Sequence, residues 1–182
     1  ETNRNEIIST VLWAIIGCSI FVTTVLVLSR EFMAEILKLE DSKILIVAGL
    51  VIPFSSLYSF FTVLIRFKKK PLVYVKFQLL SILVLLGVTL YLLLVVDLGV
   101  VSVFWGQLCS FSLVATAMAF YLSDQLKLKF SFSILKKMLR YSLPLTPGVA
   151  GGWVNSYANR VVILSYLSLS DIGIYAVALK LA

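Results

Sequence analysis

Histidine does not occur anywhere in the chain. Its absence removes the side chain that most often activates a nucleophile, shuttles a proton near neutral pH or ligates zinc. Cysteine is almost as scarce. Cys18 and Cys109 each sit inside a long apolar run with no CxxC spacing, and they read as small buried hydrophobes, with no disulfide and no metal implied. The acids number only 9 and are scattered, so no carboxylate pair or metal-binding acid cluster stands ready for hydrolysis or sugar transfer. No cofactor is expected. Charge as a whole is thin: 14% of the residues are charged and 60% hydrophobic, where soluble domains average about 25% and about 45 to 50%. With a mean hydropathy of +1.03, no water-soluble fold of this size could hide the apolar surface. Lipid is the solvent this composition suits.

About 20 apolar residues carry a helix across a bilayer. Such runs fall at residues 7–29, 44–65, 77–96, 99–122 and 143–168, and another starts at 172 and continues to the last residue. Unpaired backbone amides are intolerable in hydrocarbon, so these runs must be helical. The expected fold class is all-α, a polytopic transmembrane helical bundle. The chain opens on Glu1 and stops within an apolar run, and is read as a piece of a longer protein.

Lys and Arg mark the loops that stay on the cytoplasmic side. Arg66, Lys68, Lys69, Lys70 and Lys76 form one such cluster, and Lys127, Lys129, Lys136, Lys137 and Arg140 another. The alternate loops are mixed or acidic, with Glu31, Glu35, Glu40, Asp41, Asp97 and Asp171, and are placed outside. The net charge of +7 is therefore a topology signal that meets anionic headgroups, and no nucleic-acid partner is implied. Within residues 123–142, Ile134, Leu135, Met138 and Leu139 alternate at helical spacing with Lys136, Lys137 and Arg140. This stretch reads as an amphipathic helix lying on the cytoplasmic interface, or else as the extended start of the next span. It would link four spans of residues 1–122 to two in 143–182.

Of the 16 basic residues, Arg160 and Lys180 alone fall inside apolar runs. A charge at mid-bilayer costs at least ~2.5 to 3.5 kcal/mol, so both are expected to face a bundle interior or watery cavity, the competing reading for Lys180 being a stem that snorkels outward. Each lies ten residues from Ser170 at the apex of the outer turn, hence roughly 15 Å deep at a rise of about 1.5 Å per residue. Like charges cannot pair, and no acid lies within any run to neutralise them; they wait for a partner elsewhere or for an anionic ligand. Asn155, Ser156 and Asn159 share a small, polar face with Gly148, Gly151, Gly152 and Arg160, which lines a cavity or packs closely on another helix. Pro144 and Pro147 near the start of this run, and Pro53 within the second run, are candidate kinks or hinges. After Pro53 follow Ser55, Ser56, Tyr58, Ser59 and Thr62, a polar stripe that could line the same cavity, with Gln78, Gln107 and Ser110 as weaker candidates. Trp13, Trp105 and Trp153 suit the membrane interface or packing better than sugar stacking.

The stretch LRYSLPLTPGVAGGWVNSYANRVVILSYLSLSDIGIYAVALKLA, Leu139 to Ala182, resembles the seventh and eighth helices of bacterial polysaccharide flippases. These are the O-antigen and teichoic-acid type exporters related to the multidrug and toxin extrusion carriers. The likeness rests on Tyr141 to Pro144 and Pro147, on Asn159-Arg160, on Gly173-Ile174-Tyr175 and on Lys180, and the earlier residues are similar by topology, as helices three to six. Ser142 replaces a frequent Gly, and Asn159 replaces an Asp that commonly precedes the Arg. The internal ion pair is thereby lost and Arg160 left freer to meet substrate. The resemblance implies a two-lobe, MATE-like transporter of the bacterial inner membrane that moves an undecaprenyl-pyrophosphate-linked oligosaccharide to the outer leaflet by alternating access. A polymerase and glycosyltransferases would be its partners in polysaccharide synthesis. No bond is broken, so no enzyme activity and no catalytic residue are implied. A cation-coupled drug antiporter of the same fold is the alternative, and a membrane-embedded glycosyltransferase or polymerase a second; the first should carry cavity carboxylates and the second a base or acid cluster, and this stretch has neither.

Overall fold

The computed structural model describes residues 2–36, 43–126, 129–152, 154 and 158. Every regular element among them is a helix. In order they are α1 (Thr2–Leu28), α2 (Arg30–Ile36), α3 (Lys43–Phe67), α4 (Pro71–Leu94), α5 (Val101–Tyr121) and α6 (Phe132–Ser142), with single 3-10 turns at Ser123–Gln125 and Leu143–Leu145. The chain divides into two units, residues 1–132 and 133–182.

Four helices of the first unit are long and apolar enough to cross a membrane: Asn5–Leu28, Ile44–Phe67, Pro71–Leu94 and Val101–Tyr121. The all-α, polytopic bundle expected from hydropathy is what the chain forms. The third of these helices starts at Pro71, earlier than the apolar run at 77, because Pro suits the first helical position, where the missing N–H would have no partner. Lys76 is therefore helical, and its stem is long enough to bring the ammonium back toward the headgroups.

Packing runs in the order α1, α3, α5, α4, with α3 and α5 in the middle. The buried apolar cluster lies at the end of the bundle where α1 starts and α3 and α5 finish: Ile8, Leu64, Ile65, Val114, Met118 and Leu122. The segment after α5 returns to this end. The Ser131 amide donates to Thr10 Oγ1 at 3.2 Å, and Lys129 Nζ stands 3.7 Å from Glu6. Arg66 and Lys68 lie at the same end, so these two cations and Lys129 are gathered on one side of the first unit.

Small residues let α4 and α5 touch. Ser102, Gly106, Ser110 and Val114 recur at four-residue steps along α5 and are all buried. A methyl group at Gly106 would overlap the Thr89 hydroxyl and lie 3.2 Å from the Leu85 carbonyl, so this contact exists only because position 106 has no side chain. Much of the remaining apolar surface, including Phe21, Leu83 and Leu94, is exposed, as lipid-facing surface should be.

In the second unit α6 runs into the 3-10 turn and then into a helical stretch over 146–152. Lys136, Lys137 and Arg140 are exposed, while Ile134, Leu135 and Met138 are partly covered; Leu139, expected on the same apolar face, is exposed.

Candidate functional site

Arg160, Lys180, Asn159, Asn155 and Ser156 lie outside the described residues, as does Trp153. The geometry of the candidate site is thus built from the three prolines and from the polar side chains of the four spans.

Pro53 sits in the interior of α3 and cannot donate to the carbonyl four residues back, which belongs to Gly49. That carbonyl accepts from the Thr23 hydroxyl of α1 at 2.9 Å. Gly49 is also where α1 comes close. A Cβ there would meet Leu26, Val27 and Thr23 side chains at 3.4 to 3.7 Å, ordinary contact distances. A break in one helix's hydrogen-bond ladder has become a bond between two helices, the usual way a membrane protein re-satisfies a freed backbone group.

Pro147 is accommodated differently. Its missing N–H would have bonded the Leu143 carbonyl, and that carbonyl instead accepts from the Thr146 amide three residues on, which tightens the backbone into the 3-10 turn Leu143–Leu145. The Ser142 carbonyl, from which the Thr146 amide has turned, accepts the Thr146 hydroxyl at 3.1 Å. Pro144 stands within the same turn. Two α-helical stretches are therefore joined by a short, exposed segment with altered hydrogen bonding, the local structure a hinge needs.

The polar stripe after Pro53 does not converge on one place. Tyr58 turns toward α4 and α5, donating to Gln78 Oε1 at 2.7 Å with its ring 5.1 Å from Phe111. Ser56 and Ser59 instead line an open, largely apolar cleft of about 490 Å³ between α1 and α3, together with Cys18 and Ser19. Ser55 donates to its own helix at the Ile52 carbonyl, and Thr62 is buried. Ser110 donates to the Ser81 carbonyl at 2.7 Å. Its one proton is used there, so the Ser81 hydroxyl must donate to Ser110 Oγ at 2.9 Å. These bonds, made away from water, hold helices together. Trp13 and Trp105 are partly exposed, and both cysteines are free. Among the described residues no three His, Cys, Asp or Glu side chains come together.

Most of the described polar groups with bonded partners serve helix contact or local backbone repair, and comparison with known proteins supplies the family. The family model described as "Polysaccharide biosynthesis protein" matches residues 1–182. The chain belongs to that family. It thus has a membrane-embedded role in polysaccharide biosynthesis. No curated protein matches it, and no solved structure does.

For this family member, sequence reasoning singled out Pro53, Tyr58, Gln78 and Ser110, and missed Thr23, Gly49, Ser81 and the Thr89–Gly106 contact. Part of this was legible: a proline always orphans the carbonyl four residues earlier, which names Gly49. Nothing in the sequence marks Thr23, among many Ser and Thr residues in the spans, as the donor that answers it.

Proposed function

We propose that this chain is part of a flippase that carries an undecaprenyl-pyrophosphate-linked oligosaccharide from the inner to the outer leaflet of the bacterial inner membrane. The observation that carries the reading is the position of Arg160 and Lys180 inside apolar runs of a protein whose family makes polysaccharide. A cation in hydrocarbon is uphill unless it meets water or an anion. The pyrophosphate of a lipid-linked sugar is a multi-oxygen anion that must itself cross that hydrocarbon. Arg offers a planar fork of donors suited to phosphate, and each contact strengthens in a dry surround. Asn155, Ser156 and Asn159 are assigned to the same cavity, as uncharged donors and acceptors for the sugar or phosphate.

The motion is alternating access between two helical lobes of a MATE-like fold, with the 3-10 turn at Pro144 and Pro147 as the hinge at the start of the second lobe and Pro53 a subsidiary one. The carrier breaks no bond and needs no cofactor. Its partners are the lipid-linked oligosaccharide, the surrounding lipids, and the glycosyltransferases and polymerase that precede and follow it.

The test is accumulation of the lipid-linked saccharide on the cytoplasmic leaflet in cells that depend on the full-length protein. Arg160→Ala and Lys180→Ala should each cause accumulation with the protein still present in the membrane. Normal flipping in both variants refutes the cationic cavity.

A further inference from the structure

The last turn of α3 and the link to α4 hold Arg66, Lys68, Lys69 and Lys70, with Lys76 inside α4 and no acid between Asp41 and Asp97. Its backbone folds these cations into a shape. Lys69 takes the left-handed conformation, φ 53°, and its amide returns to the Arg66 carbonyl at 3.0 Å, ending α3; Pro71 then opens α4. The result is a cleft of about 260 Å³ walled by Arg66, Lys69, Lys70, Pro71 and Tyr74. One wall is fixed. Arg66 Nη2 donates to the Tyr74 hydroxyl at 2.8 Å, and the guanidinium carbon lies 4.8 Å from the centre of that ring. This leaves the other guanidinium N–H groups, which form no ion pair among the described residues, for a ligand.

We propose that this cleft is a binding site for the phosphate of an anionic phospholipid of the cytoplasmic leaflet. Three observations combine. The walls supply three cations and a phenol with no carboxylate to neutralise them, which selects an anion, and Arg beside Lys favours phosphate oxygens. The cleft lies where the apolar spans Ile44–Phe67 and Pro71–Leu94 end and begin, hence at headgroup level. Phe67 and Leu72, which border it in sequence, are 71% and 76% exposed and offer apolar surface on which acyl chains can lie. Lys69 adds a further sign. A glycine would hold the left-handed turn with less strain, and a cation stands there instead.

Its failure would leave the flippase reading untouched, because that reading rests on Arg160 and Lys180 and not on these residues. The test uses full-length protein in nanodiscs of phosphatidylcholine with increasing phosphatidylglycerol, followed by native mass spectrometry of retained lipid. Each cation near an anionic headgroup contributes about 1 kcal/mol, or about fivefold, so Arg66→Gln/Lys69→Gln/Lys70→Gln should weaken phosphatidylglycerol retention by at least about tenfold. Lys68→Gln/Lys76→Gln/Lys129→Gln removes the same charge from outside the cleft and should weaken retention at least about fivefold less than the cleft triple does, since these cations give only the diffuse attraction and do not touch the bound phosphate. Lys69→Gly keeps four cations in the stretch and hence the orientation; it should lose about fivefold in retention with an unchanged or higher thermal midpoint. Equal losses in the two triple variants, equal retention of phosphatidylcholine, or displacement of the lipid by millimolar inorganic phosphate would each overturn the assignment.

Discussion

Replacing Thr23 by Val removes one hydroxyl at nearly constant volume, and the structure says what that hydroxyl does: it answers the Gly49 carbonyl that Pro53 leaves without its helical donor. Hydrogen bonds between membrane helices are worth about 0.6 kcal/mol on average and at most about 1.7. This one belongs near the upper end, because its loss leaves a buried-residue carbonyl that the residue four positions on cannot serve, and an unanswered group of this kind costs about 1 to 3 kcal/mol. Thr23→Val should therefore raise the unfolding constant of the full-length protein in mixed micelles by roughly tenfold, equivalent to about 1.4 kcal/mol, as read by loss of helical circular dichroism during a denaturing-detergent titration. Pro53→Ala returns an N–H to position 53, which can close the bond to Gly49 from within α3. In that background Thr23→Val should cost less than about 0.6 kcal/mol, a coupling of about 1 kcal/mol between residues on different helices. Thr24→Val is the control: its hydroxyl bonds the Ile20 carbonyl of its own helix at 2.8 Å, and its loss should stay within about 0.5 kcal/mol. An equal cost of Thr23→Val beside Pro53 and beside Ala at 53 would show that the hydroxyl does not compensate the proline, and the argument would fail.

Gly106→Ala should destabilise the bundle by about 1 to 3 kcal/mol, since the new methyl overlaps Thr89 and presses on the Leu85 carbonyl, while Gly49→Ala should change the same unfolding midpoint little; equal effects would contradict the packing of α4 on α5. Pro147→Ala restores a donor to the Leu143 carbonyl and should return that carbonyl to an α-helical bond, leaving Pro144 as the one remaining break in the turn. The expected result is a protein no less stable that accumulates lipid-linked saccharide on the cytoplasmic leaflet, and unimpaired flipping by Pro147→Ala would remove the hinge.

Hydropathy was a sufficient guide to architecture because lipid forbids alternatives. A run of 20 apolar residues with nowhere else to place its amides must be a helix, whatever the β-branched content of Val25, Val63 or Val103 suggests. The polar residues were legible only as a set. The stripe from Ser55 to Thr62 reads as one cavity face, but Tyr58 is drawn to Gln78 on α4 while Ser56 and Ser59 open on the α1 side. Residues a few positions apart point at different neighbours according to how the helix is rotated, and that rotation is set by its partners. Gln78 and Ser110 stood out weakly in sequence and are bonded in the bundle, to Tyr58 and Ser81 respectively. Arg160 and Lys180 were singled out by the cost of a charge in lipid, which needs no structure to state.

The amino-acid order alone determined that this protein lives in a membrane and that the regular structure of its described residues is helical, because solvation energy depends on composition and run length before any contact forms. Tertiary structure decided the pairings: Thr23 with Gly49, Thr89 against Gly106, Ser81 with Ser110, and Arg66 closing with Tyr74 along a basic cleft. Each of these depends on how helices are rotated and how closely they approach, quantities fixed by mutual packing and carried by no single run of residues.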